Sequence, residues 1–202
     1  MKKIFTLAFA ITSTVLMSFK TIAPHTDVYK VDLSTSSLEW YAEKVTGKHN
    51  GTIKLLSGEI SNTHGNYTGT FEIDMNSIVD LDLESPEYKA KLEKHLKSED
   101  FFDAVKYPHS KFVMTSVTPL AAAKEGFTHS VKGMLTIKDK TNEISFDTAI
   151  KMEGEKIFAT GSAVIDRSKF DIKYGSKTFF ADIGDKMIYD DFTLKFNVVA
   201  SK

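Results

Sequence analysis

From about Val28 to the last residues, apolar and polar side chains alternate in short runs. Leu38, Trp40 and Ala42 fall on one side of an extended segment, with Glu39, Tyr41 and Glu43 on the other. Phe71, Ile73 and Met75 interleave with Thr70, Glu72 and Asp74, and Phe112 and Met114 with Val113 and Thr115. The same period of two runs through Val131, Gly133, Leu135 and Ile137, and through Ile144, Phe146, Thr148 and Ile150. It returns in Ile157, Ala159, Gly161, Ala163 and Ile165, and in Phe192, Leu194, Phe196 and Val198. Successive side chains of a strand point to opposite faces, so each run predicts a strand with one buried face. Turn residues separate the runs: Asn50-Gly51, Gly65-Asn66, Lys124-Glu125-Gly126, Asp139-Lys140-Thr141-Asn142 and Glu153-Gly154-Glu155. Asn-Gly is the strongest short hairpin signal, so a turn is predicted at Asn50-Gly51. The pattern is an antiparallel meander, not a βαβ repeat.

One segment departs from it. Ser85-Pro86 reads as an N-cap followed by proline at the first helical position. Tyr88, Leu92 and Leu96 then recur every fourth residue among Lys and Glu, and Lys94, His95 and Lys97 suit the negative end of a helix. Tyr107-Pro108 marks the return to extended chain. One helix inserted among about eight strands predicts a mainly β fold, an antiparallel barrel with a plug or lid. Closing the sheet removes exposed edges. A barrel of about eight strands encloses either side chains alone or one small ligand. Alternation is the same in both cases, so the pattern leaves cavity and solid core open.

The N-terminus changes the domain count. Met1-Lys2-Lys3 precedes an apolar run from Ile4 to Phe19, the layout of a secretory signal. Thr21-Ile22-Ala23 is the best cleavage candidate, giving a signal peptide over 1–23 and one domain over 24–202; an uncleaved anchor is the alternative. Loss of Lys2, Lys3 and Lys20 leaves 23 basic residues against 27 acidic ones, a net charge of −4. An acidic domain of this kind argues against nucleic acid as a partner. No later apolar stretch reaches spanning length, so the processed chain is expected to be soluble, without stable membrane insertion.

Candidate chemistry is sparse. Cys is absent, which excludes disulfides, thiolate catalysis, thiolate metal sites and a lipid-modified cysteine. The six His form no H-E-x-x-H and no pair at ligand spacing, so no metal site is expected unless distant residues converge. Phosphate-binding glycine loops and a G-x-S-x-G elbow are missing as well. Asp190-Asp191 and Glu99-Asp100 are sequence neighbours, which on a strand point to opposite faces rather than forming an acid–base pair. No catalytic residue and no cofactor is therefore predicted. Trp40 reads first as a core residue, and His49 as a polar residue beside a hairpin turn.

Four stretches resemble the YceI family, the lipocalin-like polyisoprenoid-binding proteins of bacterial envelopes. They are Tyr29-Lys30-Val31-Asp32 leading to Ser36-Ser37-Leu38-Glu39-Trp40 and Thr46-Gly47-Lys48-His49-Asn50-Gly51-Thr52; His95 to Asp103 with Tyr107-Pro108 and Lys111-Phe112; Val131 to Lys138; and Asp166 to Ile172. The resemblance implies an extended antiparallel eight-stranded lipocalin-like barrel with one inserted helix, enclosing an apolar tunnel that binds and carries or buffers a long-chain amphiphile (a polyisoprenoid, isoprenoid quinone or fatty amide), and export to the periplasm or beyond. The lining it suggests is Leu38, Trp40, Phe71, Ile73, Phe112, Met114, Leu135, Phe146, Phe192 and Phe196. His49, Arg167, Lys138 and Lys173 are placed at the tunnel mouth, the cations to meet a phosphorylated head group if one is present. The expected partner is a lipid or isoprenoid, and a homodimer is compatible with the reading. Two departures stand out: Asp171 occupies a position where many relatives carry Gly, and Asp80 to Glu87 is longer and more acidic than usual. Two alternatives stay open. One is a lipocalin-like enzyme acting on an isoprenoid with His49 as acid or base; the other is a partner module of a quinone-linked membrane redox protein.

Overall fold

The computed structural model describes residues 25–124 and 126–202, so the signal segment expected over 1–23 lies outside the described residues. The strands are β1 (Thr26–Val31), β2 (Ser37–Lys44), β3 (Gly47–Thr63), β4 (Asn66–Asp80), β5 (His109–Lys124), β6 (Phe127–Ile137), β7 (Lys140–Glu153), β8 (Lys156–Asp166) and β9 (Ile188–Ser201). From β2 to β9 each strand pairs antiparallel with the next, and β2 pairs with β9 to close the sheet. β1 does not add a ninth position. It pairs with the far half of β3 and the end of β9, while β2 pairs with the near half of β3 and the rest of β9. The two are one strand position, interrupted where Asp32 N–H donates to Val199 and Ser36 N–H to Asp32. Nine segments thus make a closed eight-stranded barrel.

The inward residues are those the alternation selects. Leu38, Trp40, Ile73, Met75, Val131, Leu135, Ile137, Ile157, Ala163 and Ile165 are all buried. His64 and Gly65, with φ of 53° and 87°, make the two-residue β3–β4 hairpin turn that matches strand twist. Asn50-Gly51 is not a turn. It lies within β3, where Gly51 pairs with Trp40 on one side and Asp80 on the other. A Cβ on Gly51 would stand 1.8 Å from the Val79 carbonyl oxygen and 2.7 Å from the Trp40 ring. The glycine serves a close approach, which a dipeptide signal does not distinguish from a bend.

The helix α1 (Pro86–Lys97) joins β4 to β5, with the Tyr88 N–H donating to Ser85 Oγ at its N-cap. Leu92 and Leu96 pack on the cluster of Trp40, Ile53, Ile78 and Ala104. Tyr88 stays 62 % exposed, so the apolar stripe begins one turn later than its spacing predicts. The connections at the helix end of the barrel also bring in Phe101, Phe170 and Ile172, all buried. The β3–β4, β5–β6 and β7–β8 turns form the opposite, hairpin end.

Candidate ligand cavity

The barrel is not filled by its own side chains. A cavity of about 230 Å³ runs through its hairpin-end half, and a second of about 100 Å³ lies toward the helix end. Ile73, Leu135, Ile165 and Leu194 wall both, so the two are successive chambers of one bore. An apolar cavity of ~150 Å³ already stays dry and takes up benzene in an engineered protein, which sets the scale.

Why the bore stays open follows from the packing of its rings. Phe71, Phe112, Phe146 and Phe196 form a belt around the larger chamber, with consecutive centroids 6.2, 5.7 and 5.4 Å apart. The Phe112 ring lies over Gly133 on the adjacent strand, where a Cβ would come within 2.4 Å of it. A ring laid against the wall leaves the axis free; a larger residue at Gly133 would push it inward. All ten residues expected on a tunnel wall face the chambers. Trp40 and Phe192 line the smaller, Ile73 and Leu135 both, and Leu38, Phe71, Phe112, Met114, Phe146 and Phe196 the larger.

Polar atoms in the bore are few. Among the described residues, the polar side chains of the larger chamber are Tyr67, His129 and Thr148. Thr148 Oγ1 is buried without a hydrogen-bond partner, and so is Trp40 Nε1 in the smaller chamber. Unpaired buried polar groups of this kind are costly.

The two ends differ. At the helix end Phe170 and Ile172 are essentially inaccessible and Arg167 is 4 % exposed. Arg167 is committed to the protein itself. Its Nε donates to the Tyr189 carbonyl, Nη1 to those of Ile172 and Tyr174, and Nη2 to that of Ile188. Nη2 also sits 3.2 Å from Asp190 Oδ1, a contact whose angle does not make a hydrogen bond. Burial pushes the guanidinium down from its ordinary value, with Asp190 and Asp166 working against it. At the hairpin end the wall residue Met152 is 46 % exposed, and the Tyr67 hydroxyl donates to its sulfur at 3.1 Å. β4 and β7 are not neighbours in the sheet, so this contact spans the rim of the bore.

The four residues expected at a mouth all stand at the helix end. Arg167 is a strap that closes the barrel, with no free fork for a phosphate. Lys138 and Lys173 share an outer surface cleft with Asp171 and Glu99, and Lys173 Nζ lies 3.0 Å from Asp171 Oδ1. His49 is on neither chamber; its Nδ1 meets Asp82 Oδ2 at 2.9 Å. Burial works to raise the Asp82 carboxyl, but the Asn50 N–H and the imidazole outweigh it and hold it below the ordinary value. The Asp80 carboxyl beside it is held above that value, by burial first and then by Asp82. The rim residues Tyr67, His129 and Met152 were missed, although each is in phase with the inward residues of its strand.

A closed antiparallel barrel around an apolar bore defines a lipocalin-like fold. Residues 29–200 match the YceI-like domain, and the chain belongs to that family. A UPF0312 protein of Photorhabdus laumondii is 32 % identical over 113 residues, 56 % of each chain. One of Pseudomonas putida is 30 % identical over 104 residues, 50 % of this chain and 52 % of the relative. The chain thus aligns with about half the length of these curated relatives. Among solved structures, Burkholderia cenocepacia BcnA superposes with a TM-score of 0.67 at 24 % identity, covering 85 % of this chain and 99 % of its own. A polyisoprenoid-binding domain from Saccharophagus degradans superposes with a TM-score of 0.60 at 12 % identity, covering 86 % and 97 %. Both likenesses are of fold.

Proposed function

We propose that the chain binds a long-chain amphiphile (a polyisoprenoid, isoprenoid quinone or fatty amide) in its bore and carries or buffers it in the cell envelope after export. The observation that carries this reading is the pair of chambers walled almost wholly by apolar side chains. Together they reach the lower end of the ~300–1,000 Å³ usual for small-molecule sites. The binding of a polyisoprenoid by the Saccharophagus degradans domain supports the ligand class. The guest would enter at the hairpin end, past the Tyr67–Met152 contact, since Arg167, Phe170 and Ile172 pack across the helix end. Each methylene taken from water is worth about 0.8 kcal/mol, offset in part by the ordering of a flexible chain.

Carrying without chemistry is the better-supported form of this reading. His49, the acid or base an enzymatic reading would use, faces Asp82 outside both chambers and does not reach a guest held there, and the imidazole that does line the larger chamber, His129, has its Nδ1 2.8 Å from Thr128 Oγ1. To test the proposal, the full chain is expressed with its own leader in a bacterial host and purified without detergent, and its organic extract is analysed by mass spectrometry. A long-chain isoprenoid or fatty amide near one per chain is expected. A lipid-free protein that also fails to take up an offered isoprenoid alcohol would overturn it.

A further inference from the structure

His49, Asp80 and Asp82 converge outside the bore, on residues that lining a tunnel does not use. We propose that these three side chains form a binding site for one divalent cation of the zinc class. The site lies where the start of β3, the end of β4 and the loop leading to α1 meet. One ligand atom from each residue lies within 4.8 Å of the others. Tetrahedral zinc with bonds of about 2.0–2.1 Å sets its ligand atoms about 3.3 Å apart, so small side-chain rotations close the site.

Backbone contacts hold the carboxylates in place. Asn50 N–H donates to Asp82 Oδ1 at 2.8 Å and Leu83 N–H to Asp80 Oδ1 at 2.9 Å. Leu81 N–H reaches back to the Asn50 carbonyl at 2.9 Å, and Asp80 N–H donates to Glu93 Oε1 on α1 at 3.0 Å. Each carboxylate therefore has one oxygen fixed by an N–H. The second oxygen of Asp82 meets the imidazole. The second oxygen of Asp80 receives no hydrogen bond, although Asp80 is fully buried.

That orphan oxygen is the independent sign of a ligand. A buried carboxylate oxygen without a donor is costly, and it is relieved either by a proton shared with Asp82 or by a cation. Two carboxylates and a neutral imidazole carry a charge of −2, which a divalent cation balances. The imidazole nitrogen selects zinc and its neighbours over calcium and magnesium, which prefer all-oxygen sites. His49 and Asp82 keep side-chain exposures of 26 % and 28 %, leaving room for water as the fourth ligand. A cation here ties the approach to α1 onto β3 and so stiffens the cap at the closed end.

The full processed chain, stripped with EDTA, is titrated with zinc chloride by calorimetry, elemental analysis and thermal unfolding. One zinc per chain and a rise in melting temperature of about 3 °C or more at saturation are expected. Asp80→Asn is the decisive variant, because its amide can still accept from Leu83 and donate toward Asp82. It should keep or raise the metal-free melting temperature while zinc affinity falls at least about tenfold, and His49→Gln should lose zinc similarly. Absence of saturable zinc uptake by the parent chain would overturn the proposal in favour of the shared proton. Equal uptake by Asp80→Asn would overturn it in favour of adventitious histidine binding, and uptake of calcium instead of zinc would overturn the metal class. None of these readouts depends on a guest in the bore.

Discussion

Filling the bore separates a ligand cavity from a merely loose core. Ala163 on β8 is 5 % exposed and faces the larger chamber, so Ala163→Phe projects a phenyl ring into a void of about 230 Å³. Burying a phenylalanine side chain is worth about 1.5–3 kcal/mol, and overpacking costs roughly 1–3 kcal/mol. With a void to receive the ring these nearly cancel, so stability should change by no more than about 1 kcal/mol, or about 2–4 °C in melting temperature. The ring occupies the place of about six guest methylenes, each worth about 0.8 kcal/mol, a gross loss of about 5 kcal/mol. Less chain to order returns part of that, and the net expectation is a loss of about 100-fold in affinity. A fluorescent fatty-chain probe titrated into delipidated parent and variant reads the difference, with circular dichroism as the folding control. A folded Ala163→Phe protein that binds the probe as tightly as the parent would refute the reasoning, because the guest would then sit elsewhere.

Other substitutions probe the scaffold. Gly51→Ala drives a methyl into the Val79 carbonyl and the Trp40 ring, and should cost about 3 kcal/mol or more in urea unfolding, or disrupt β3–β4 pairing. Arg167→Lys strands several of the carbonyls the guanidinium now satisfies; a loss of about 2–4 kcal/mol in the same assay is expected, and no loss would show the strap to be dispensable. Asp171→Gly relieves a φ of 59° but loses the exposed contact with Lys173, so a melting temperature higher by only about 1–2 °C is expected.

How much of this was legible in the sequence depends on the range of the contact concerned. Strand faces are set by alternation, so the wall from Leu38 to Phe196 could be read one residue at a time. The bore itself could not, because a filled core and a hollow one share that period. The difference lies in where rings rest, such as Phe112 over Gly133, two positions far apart in sequence. Which end opens was equally hidden. The cap is built from irregular stretches around Phe101 and Arg167, which carry no periodic signal, so cations that read as a mouth became a strap and an outer cleft. His129 and Met152 could have been found by extending the inward period to the strand ends, where a polar residue and a turn masked it. The meeting of His49 with Asp82 depends on the register of β3 against β4 and the loop beyond, and no local spacing encodes it.

Trp40 offers the most direct test of a guest in the bore, since it is the only tryptophan in the chain and lines the smaller chamber. A quinone with an alkyl tail, such as decylubiquinone, is titrated into delipidated protein while indole fluorescence is followed. Saturable quenching at one equivalent, lost in Ala163→Phe, is the expected result. Weak quenching that rises linearly without saturation, and equally in both proteins, would mean that the quinone never reaches the interior.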